Sequence, residues 1–110
     1  IYVANWPTTR IDAWDTLLKA RAIENISYVA GVNRIGQDGA GIEHNGHSSI
    51  IGPKGDMIFA NEGADLVKTI ELNANALHAF RDRFPVYVDG DDFSIEAEQY
   101  EESDYLEGLG

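Results

Sequence analysis

Ile1-Tyr2-Val3-Ala4-Asn5-Trp6-Pro7-Thr8-Thr9-Arg10 opens the chain, and Tyr28-Val29-Ala30-Gly31-Val32-Asn33-Arg34 follows one amphipathic stretch later. These two segments and the residues between them decide the fold. Ile1 to Ala4 is β-branched and aromatic, with no turn residue before it. It reads as a buried strand, and the chain is expected to open in the middle of an element. Pro7 ends that strand and makes Asn5 to Thr8 a loop. Thr9 followed by Asp12 fits a capping box, with Thr9 as N-cap. Ile11, Trp14, Leu17, Leu18, Ala22 and Ile26 then recur at three- and four-residue steps, which predicts a helix from about Arg10 to Asn25 with one apolar face. Asp15 and Lys19 stand one turn apart and can pair on its solvent side. Tyr28 to Arg34 is small and apolar, as expected for a buried strand. Strand, helix and strand together form a βαβ unit.

Working outward, Gly36 to Gly46 reads as a polar loop and Ser48 to Ile51 as a third strand. Pro53-Lys54-Gly55-Asp56 is a turn, and Met57 to Ala60 returns as a fourth strand to close a hairpin. Asp65 to Leu72 alternates, with Leu66, Thr69 or Ile70, and Leu72 on an inner face, which predicts a fifth strand. Asn73 caps a short helix carrying Leu77, Phe80 and Phe84, and Pro85 stops it. The fold class is α/β, with about five strands and two helices.

The chain has 110 residues, 44% of them hydrophobic, which suits one folded domain. Its net charge of -11 is unevenly spread: residues 1–88 carry 10 acids and 8 bases, and residues 89–110 carry 9 acids and no base. A domain over residues 1–88 and an acidic tail over 89–110, partly extended or disordered, are therefore expected. Phe93, Ile95, Tyr100, Tyr105 and Leu106 punctuate the tail and could pack on something. The acidity argues against nucleic acid as a partner, since phosphate binding needs a basic surface. No apolar run approaches membrane-helix length, so no membrane partner is expected. No basic leader with an apolar core is visible, and a cytoplasmic location is expected. The absence of cysteine removes disulfides, thiolate metal clusters and a cysteine nucleophile from this segment.

Other motifs fall short of chemistry. His44 and His47 flank Asn45-Gly46, and Gly46 disfavours the helix that would bring them onto one metal. They read as surface histidines of a polar loop, and His78 as an exposed helix residue. Gly36, Gly39 and Gly41 do not follow the phosphate-loop order. Asp89-Gly90-Asp91-Asp92 lacks the glycine of a calcium loop. Asn25-Ile26-Ser27 matches a glycosylation acceptor in a chain with no sign of secretion. His47 and Ser48 are sequence neighbours, so on a strand they would point to opposite faces. No metal and no cofactor is expected.

Taken in order, Tyr2-Val3-Ala4-Asn5-Trp6-Pro7, Ala20-Arg21-Ala22-Ile23-Glu24-Asn25, Tyr28 to Arg34, Gly46-His47-Ser48 and Pro53-x-Gly55-Asp56 resemble the C-terminal half of a nitrilase-superfamily carbon–nitrogen hydrolase. The Asn-Trp-Pro form resembles the omega-amidase-like branch, and the resemblance covers about residues 1–88. It implies part of an αββα four-layer sandwich. It also implies cleavage of a small amide, a dicarboxylate monoamide, through a cysteine thioester, with Lys holding the oxyanion and Glu as general base. The catalytic Glu, Lys and Cys are expected upstream of Ile1. Lys19, Lys54 and Lys68 lie in the wrong segments to replace the Lys, so the 110 residues alone are expected to be inactive.

Asn5 and Trp6 leave the C-terminal end of a strand, where α/β sheets bind ligands. By resemblance they line the substrate pocket. A plain strand-to-helix turn with a packed Trp is the alternative. Arg21, Glu24 and Asn25 are expected to form a structural polar network, buried or at an interface. The resemblance further implies a homodimer or higher oligomer through the helix Arg10 to Asn25. A rival reading from another class is a non-catalytic binding module with an acidic docking tail.

Overall fold

The computed structural model describes residues 1–97. Strands β1 (Tyr2–Ala4) and β2 (Val29–Asn33) pair in parallel across the helix α1 (Ile11–Asn25). This is the βαβ unit read from the sequence. Two three-residue strands follow, β3 (Ile35–Gln37) and β4 (Glu43–Asn45), then β5 (Ser49–Ile51) and β6 (Met57–Ala60). The main sheet has the order β1-β2-β5-β6, with β5 antiparallel to both neighbours, and β3-β4 stand apart as a small hairpin.

Register explains which side chains meet the helix. Val29 pairs with Ile51, Gly31 with Ser49 and with Tyr2, and Asn33 with Ala4. Successive residues alternate faces, so this set shares the face that α1 covers. Trp14, Leu18 and Ala22 of α1 meet Val29 and Ile51 in the buried core. Gly31 is needed where helix and sheet approach closely, because a Cβ there would stand 2.5 Å from Leu18 Cδ1 and 3.0 Å from Trp14 Cζ2. The opposite face is open, with Val3 78% and Val32 49% exposed.

Several expectations are corrected. Ile1 to Ala4 contributes a strand but not a buried one, because one of its faces lies on the open side of the sheet, and Leu17, read onto the apolar face of α1, is exposed. Thr9 does not cap α1: Thr8–Arg10 form a 3-10 turn, and Arg10 occupies the N-cap without a side-chain bond. The turn led by Pro7, whose carbonyl accepts from Arg10 N–H at 3.0 Å, takes up one of the donors that a cap would serve. Asp65 to Leu72 forms no strand. Instead of joining the sheet edge, it passes over the open face, where Leu66 and Ile70 border a cavity of about 420 Å³ above Val32, Ile50 and Phe59. Leu66 and Ile70, four residues apart, face that cavity, while Leu72 is exposed and outside its lining.

Gly36 to Gly46, read as a loop, contains the hairpin β3–β4. Its turn is built by Asp38, whose Oδ1 accepts from Ala40 N–H at 2.8 Å and Ile42 N–H at 3.0 Å. The side chains of Gln37 and Glu43 then bond across the strands at 2.6 Å. The histidines are not loop surface: His44 lies on β4 and is buried, its Nδ1 3.3 Å from the Gly36 carbonyl, and His47 is tied to α1. Asp15 therefore turns to His47 and not to Lys19.

The helix α2 (Ala74–Arg83) begins as expected, with Asn73 Oδ1 accepting from Ala76 N–H at 2.9 Å. It buries no residue fully and is anchored by Arg81, which donates to the Ile26 carbonyl at 2.9 Å and to Ser27 Oγ at 3.1 Å. A second 3-10 turn follows at Val86–Asp89, and Phe93 and Ile95 beyond it are exposed. Tyr100, Tyr105 and Leu106 lie outside the described residues.

Candidate functional site

The loop Asn5-Trp6-Pro7 leaves the C-terminal end of β1, at the same end of the sheet as Asn33 of β2 and the turn Gly46-His47-Ser48 that enters β5. One buried side chain ties the three together. Asn33 Oδ1 accepts from Trp6 N–H at 2.7 Å, and Asn33 Nδ2 donates to the Trp6 carbonyl at 3.0 Å and to the Gly46 carbonyl at 2.8 Å. The Asn33 main chain is bonded in turn by Ser48, whose Oγ accepts from Asn33 N–H at 2.9 Å and donates to its carbonyl at 3.2 Å. In the sequence Asn33 stands out only as a residue of the second strand. A carboxamide amid small apolar residues on a buried strand was the signal, because a buried amide must find partners.

The Gly46-His47 turn places both residues in the left-handed region, at φ 77° and 57°. Glycine accepts this freely, whereas a histidine needs support. His47 receives it from α1 on two sides: Trp14 Nε1 donates to its carbonyl at 2.9 Å, and its ring Nδ1 lies 2.9 Å from Asp15 Oδ2. An ionised carboxylate only accepts, so Nδ1 carries the proton. Nε2 then faces the amide of Asn45 at 3.4 Å. His47 and Ser48 do not form a nucleophile–base pair, since Ser48 Oγ is committed to Asn33 and the His47 ring to Asp15 and Asn45.

Trp6 carries its ring away from the strand end and onto α1. Its Nε1 donates to the Arg10 carbonyl at 2.6 Å, and its ring centroid stands 5.8 Å from that of Trp14. The Arg10 guanidinium lies 5.4 Å above it. Asn5 is exposed, and its carboxamide makes no hydrogen bond among the described residues. Elsewhere on α1, Arg21 bonds Glu24 at 2.6 Å, and Asn25 Nδ2 donates to the Arg21 carbonyl at 2.9 Å. The Arg21 and Glu24 side chains are 41% and 54% exposed, which limits an isolated pair of this kind to about 0.3–0.5 kcal/mol. Among the described residues no group of three or more acids and histidines is placed to hold a metal.

The carbon-nitrogen hydrolase family matches residues 1–82. The chain belongs to that family. Among the relatives of this chain, the omega-amidase YafV of Escherichia coli is 44% identical over 96 residues, which are 86% of this chain and 38% of the relative. A 2-oxoglutaramate amidase of Paenarthrobacter nicotinovorans is 42% identical over 86 residues, 78% of this chain and 29% of the relative. XC1258 of Xanthomonas campestris, a CN-hydrolase superfamily protein solved with an arsenic adduct in its active site, superposes with a TM-score of 0.80 at 41% identity. That match covers 87% of this chain and 38% of the solved one, so the chain spans about 29–38% of the length of these relatives. The α/β class and the omega-amidase-like resemblance both stand.

Proposed function

We propose that the protein is an amidase that hydrolyses the C–N bond of a small non-peptide amide of the dicarboxylate-monoamide class. The observation that carries this reading is the loop Asn5-Trp6-Pro7, held at the C-terminal end of β1 in a chain 44% identical to an omega-amidase. Ligands of open α/β sheets gather at such strand ends. In this reading Asn5 offers its free carboxamide to the substrate, and Trp6 fixes the wall of the pocket by packing on Trp14.

The chemistry is acyl transfer. A cysteine thiolate attacks the amide carbon, a lysine holds the oxyanion, and ammonia leaves with a proton from the glutamic acid. Water activated by the same glutamate then cleaves the thioester. The Cys, Lys and Glu belong to a part of the protein N-terminal to this segment, which supplies loop and scaffold. The reading extends to a cytoplasmic enzyme in which residues 89–110 form a separate acidic tail. It also extends to a homodimer through α1, supported by Leu17 and Ile23, which are 45% and 48% exposed on that helix. Ammonia release from a dicarboxylate monoamide by the full-length protein is the test. Failure to turn over any small amide would sink the proposal.

A further inference from the structure

We propose that Asn33 is a positioning residue that sets the place of the Asn5-Trp6-Pro7 loop by gripping both polar groups of the Trp6 main chain. Where β1 ends, Trp6 N–H and C=O lose the ladder that would have paired them, and an unpaired backbone group away from water is costly. The Asn33 carboxamide stands in for the missing strand. Its oxygen takes the N–H at 2.7 Å and its nitrogen serves the C=O at 3.0 Å. The third bond, to the Gly46 carbonyl at 2.8 Å, locks the carboxamide against rotation, since a flipped amide would set donor against donor and acceptor against two carbonyls. Asn33 is 6% exposed, so water cannot replace these bonds without reorganising the strand end.

Only one side chain meets the requirement. Asp keeps the acceptor for Trp6 N–H but turns a second oxygen on two carbonyls. Gln is one methylene too long, and Ala leaves three main-chain groups unserved. The consequence for catalysis rests on the amidase reading: if the loop bounds the substrate pocket, releasing Trp6 weakens substrate binding.

Two measurements on the full-length protein test this. In steady-state assays with a dicarboxylate monoamide, Asn33→Asp is expected to raise KM about tenfold, the equivalent of about 1.4 kcal/mol. Arg81→Ala removes the anchor of α2 on Ile26 and Ser27, at the far end of α1 from both loops, and it is expected to keep the wild-type KM. In amide hydrogen exchange of the wild type, Trp6 N–H is expected to be protected at least about a hundredfold over Val67 N–H, which sits in an exposed segment without regular structure. Asn33→Asp should remove that protection.

A folded Asn33→Asp protein with unchanged KM and a protected Trp6 N–H overturns the proposal. So does a wild-type Trp6 N–H that exchanges as fast as Val67, a result that stands even where the variant fails to fold. If the wild type turns over no amide, the amidase reading fails, and the exchange of Trp6 decides the positioning role by itself.

Discussion

Replacing Gly31 by Ala sets two physical effects against each other, and the structure says which wins. Glycine in a strand interior is unfavourable by roughly 0.5–1 kcal/mol relative to alanine, because it loses more backbone freedom on folding. On that ground alone the variant would be more stable. The added Cβ, however, would stand 2.5 Å from Leu18 Cδ1 and 3.0 Å from Trp14 Cζ2. Neither neighbour can yield freely: Leu18 is 4% exposed, Trp14 is 5% exposed, and the Trp14 indole is held by its bond to the His47 carbonyl. Overpacking of this kind costs about 1–3 kcal/mol. The net expectation is a loss of about 1–2 kcal/mol, or about 2–8 °C in Tm for a protein of 150–250 residues.

A double-mutant cycle with Leu18→Ala separates the contact from any general weakening. Leu18→Ala alone should cost about 2–5 kcal/mol through the cavity it leaves. In the double variant the new methyl occupies part of that cavity, so the two losses should fall short of additivity by about 1 kcal/mol or more. Thermal and denaturant melts of the full-length protein read all four corners. A Gly31→Ala protein as stable as the wild type, or strictly additive losses, would refute the claim that Gly31 is dictated by the approach of α1.

Ile26 ends α1 at φ 45° with its side chain 4% exposed. Ile26→Gly relieves about 1–2 kcal/mol of left-handed strain but forfeits about 2–3 kcal/mol of burial, so a net loss of about 1 kcal/mol is expected in melts. The Ile42 N–H bond first, then that of Ala40 and the charges of His44 and Arg34, hold the Asp38 carboxyl below its ordinary value of 3.8. A lowered pKa stabilises above the unfolded value, and the support disappears as pH falls through the folded one. Exchange protection of the β3–β4 hairpin should therefore persist at neutral pH and fade in acid below that range, with Asp38→Ala abolishing the pH dependence. Residues 1–110 expressed alone should show no amidase activity and should associate through the open sheet face. A soluble monomer with a cooperative melt would count against that reasoning. Removing residues 89–110 from the full-length protein should leave amide turnover intact; loss of binding to a basic partner alongside intact turnover would instead favour a separate docking tail.

The parts of the fold that the sequence made legible are those in which one physical requirement acts alone. Trp14, Leu18, Ala22 and Ile26 answer only to burial, so their four-residue step appears in the sequence, whereas Leu17 of the same stripe is exposed. Asn73 and Pro85 answer only to the needs of a helix end, and α2 begins and ends between them. The errors arise where two requirements share a stretch. In Asp65 to Leu72 the spacing of Leu66, Thr69 or Ile70, and Leu72 reads as a strand, but Leu66 and Ile70 belong to a chain lying across the open sheet face. In Gly36 to Gly46 the Asp38-Gly39 turn signal was present, yet strands of three residues are too short to show a period.

The site was legible by its words and not by its wiring. Asn5-Trp6-Pro7 marks a strand end, and that much follows from Pro7 and the residues before it. The Trp6 ring packs on Trp14 while its main chain is gripped at the strand end. Asn33 lies 27 residues away in the chain, and nothing local to either residue announces the pairing. What links them is register: the parallel pairing of β1 with β2 sets Ala4 beside Asn33. The carboxamide thereby meets the main-chain groups of Trp6, two residues past the last paired residue of β1. Parallel pairing is itself a consequence of the crossover through α1, and the length and stripe of α1 were written in the sequence. The wiring of the loop therefore follows from elements that could be read, once the register between them is known. This makes Asn33, and not the more conspicuous His47 and Ser48, the side chain whose loss should move the loop.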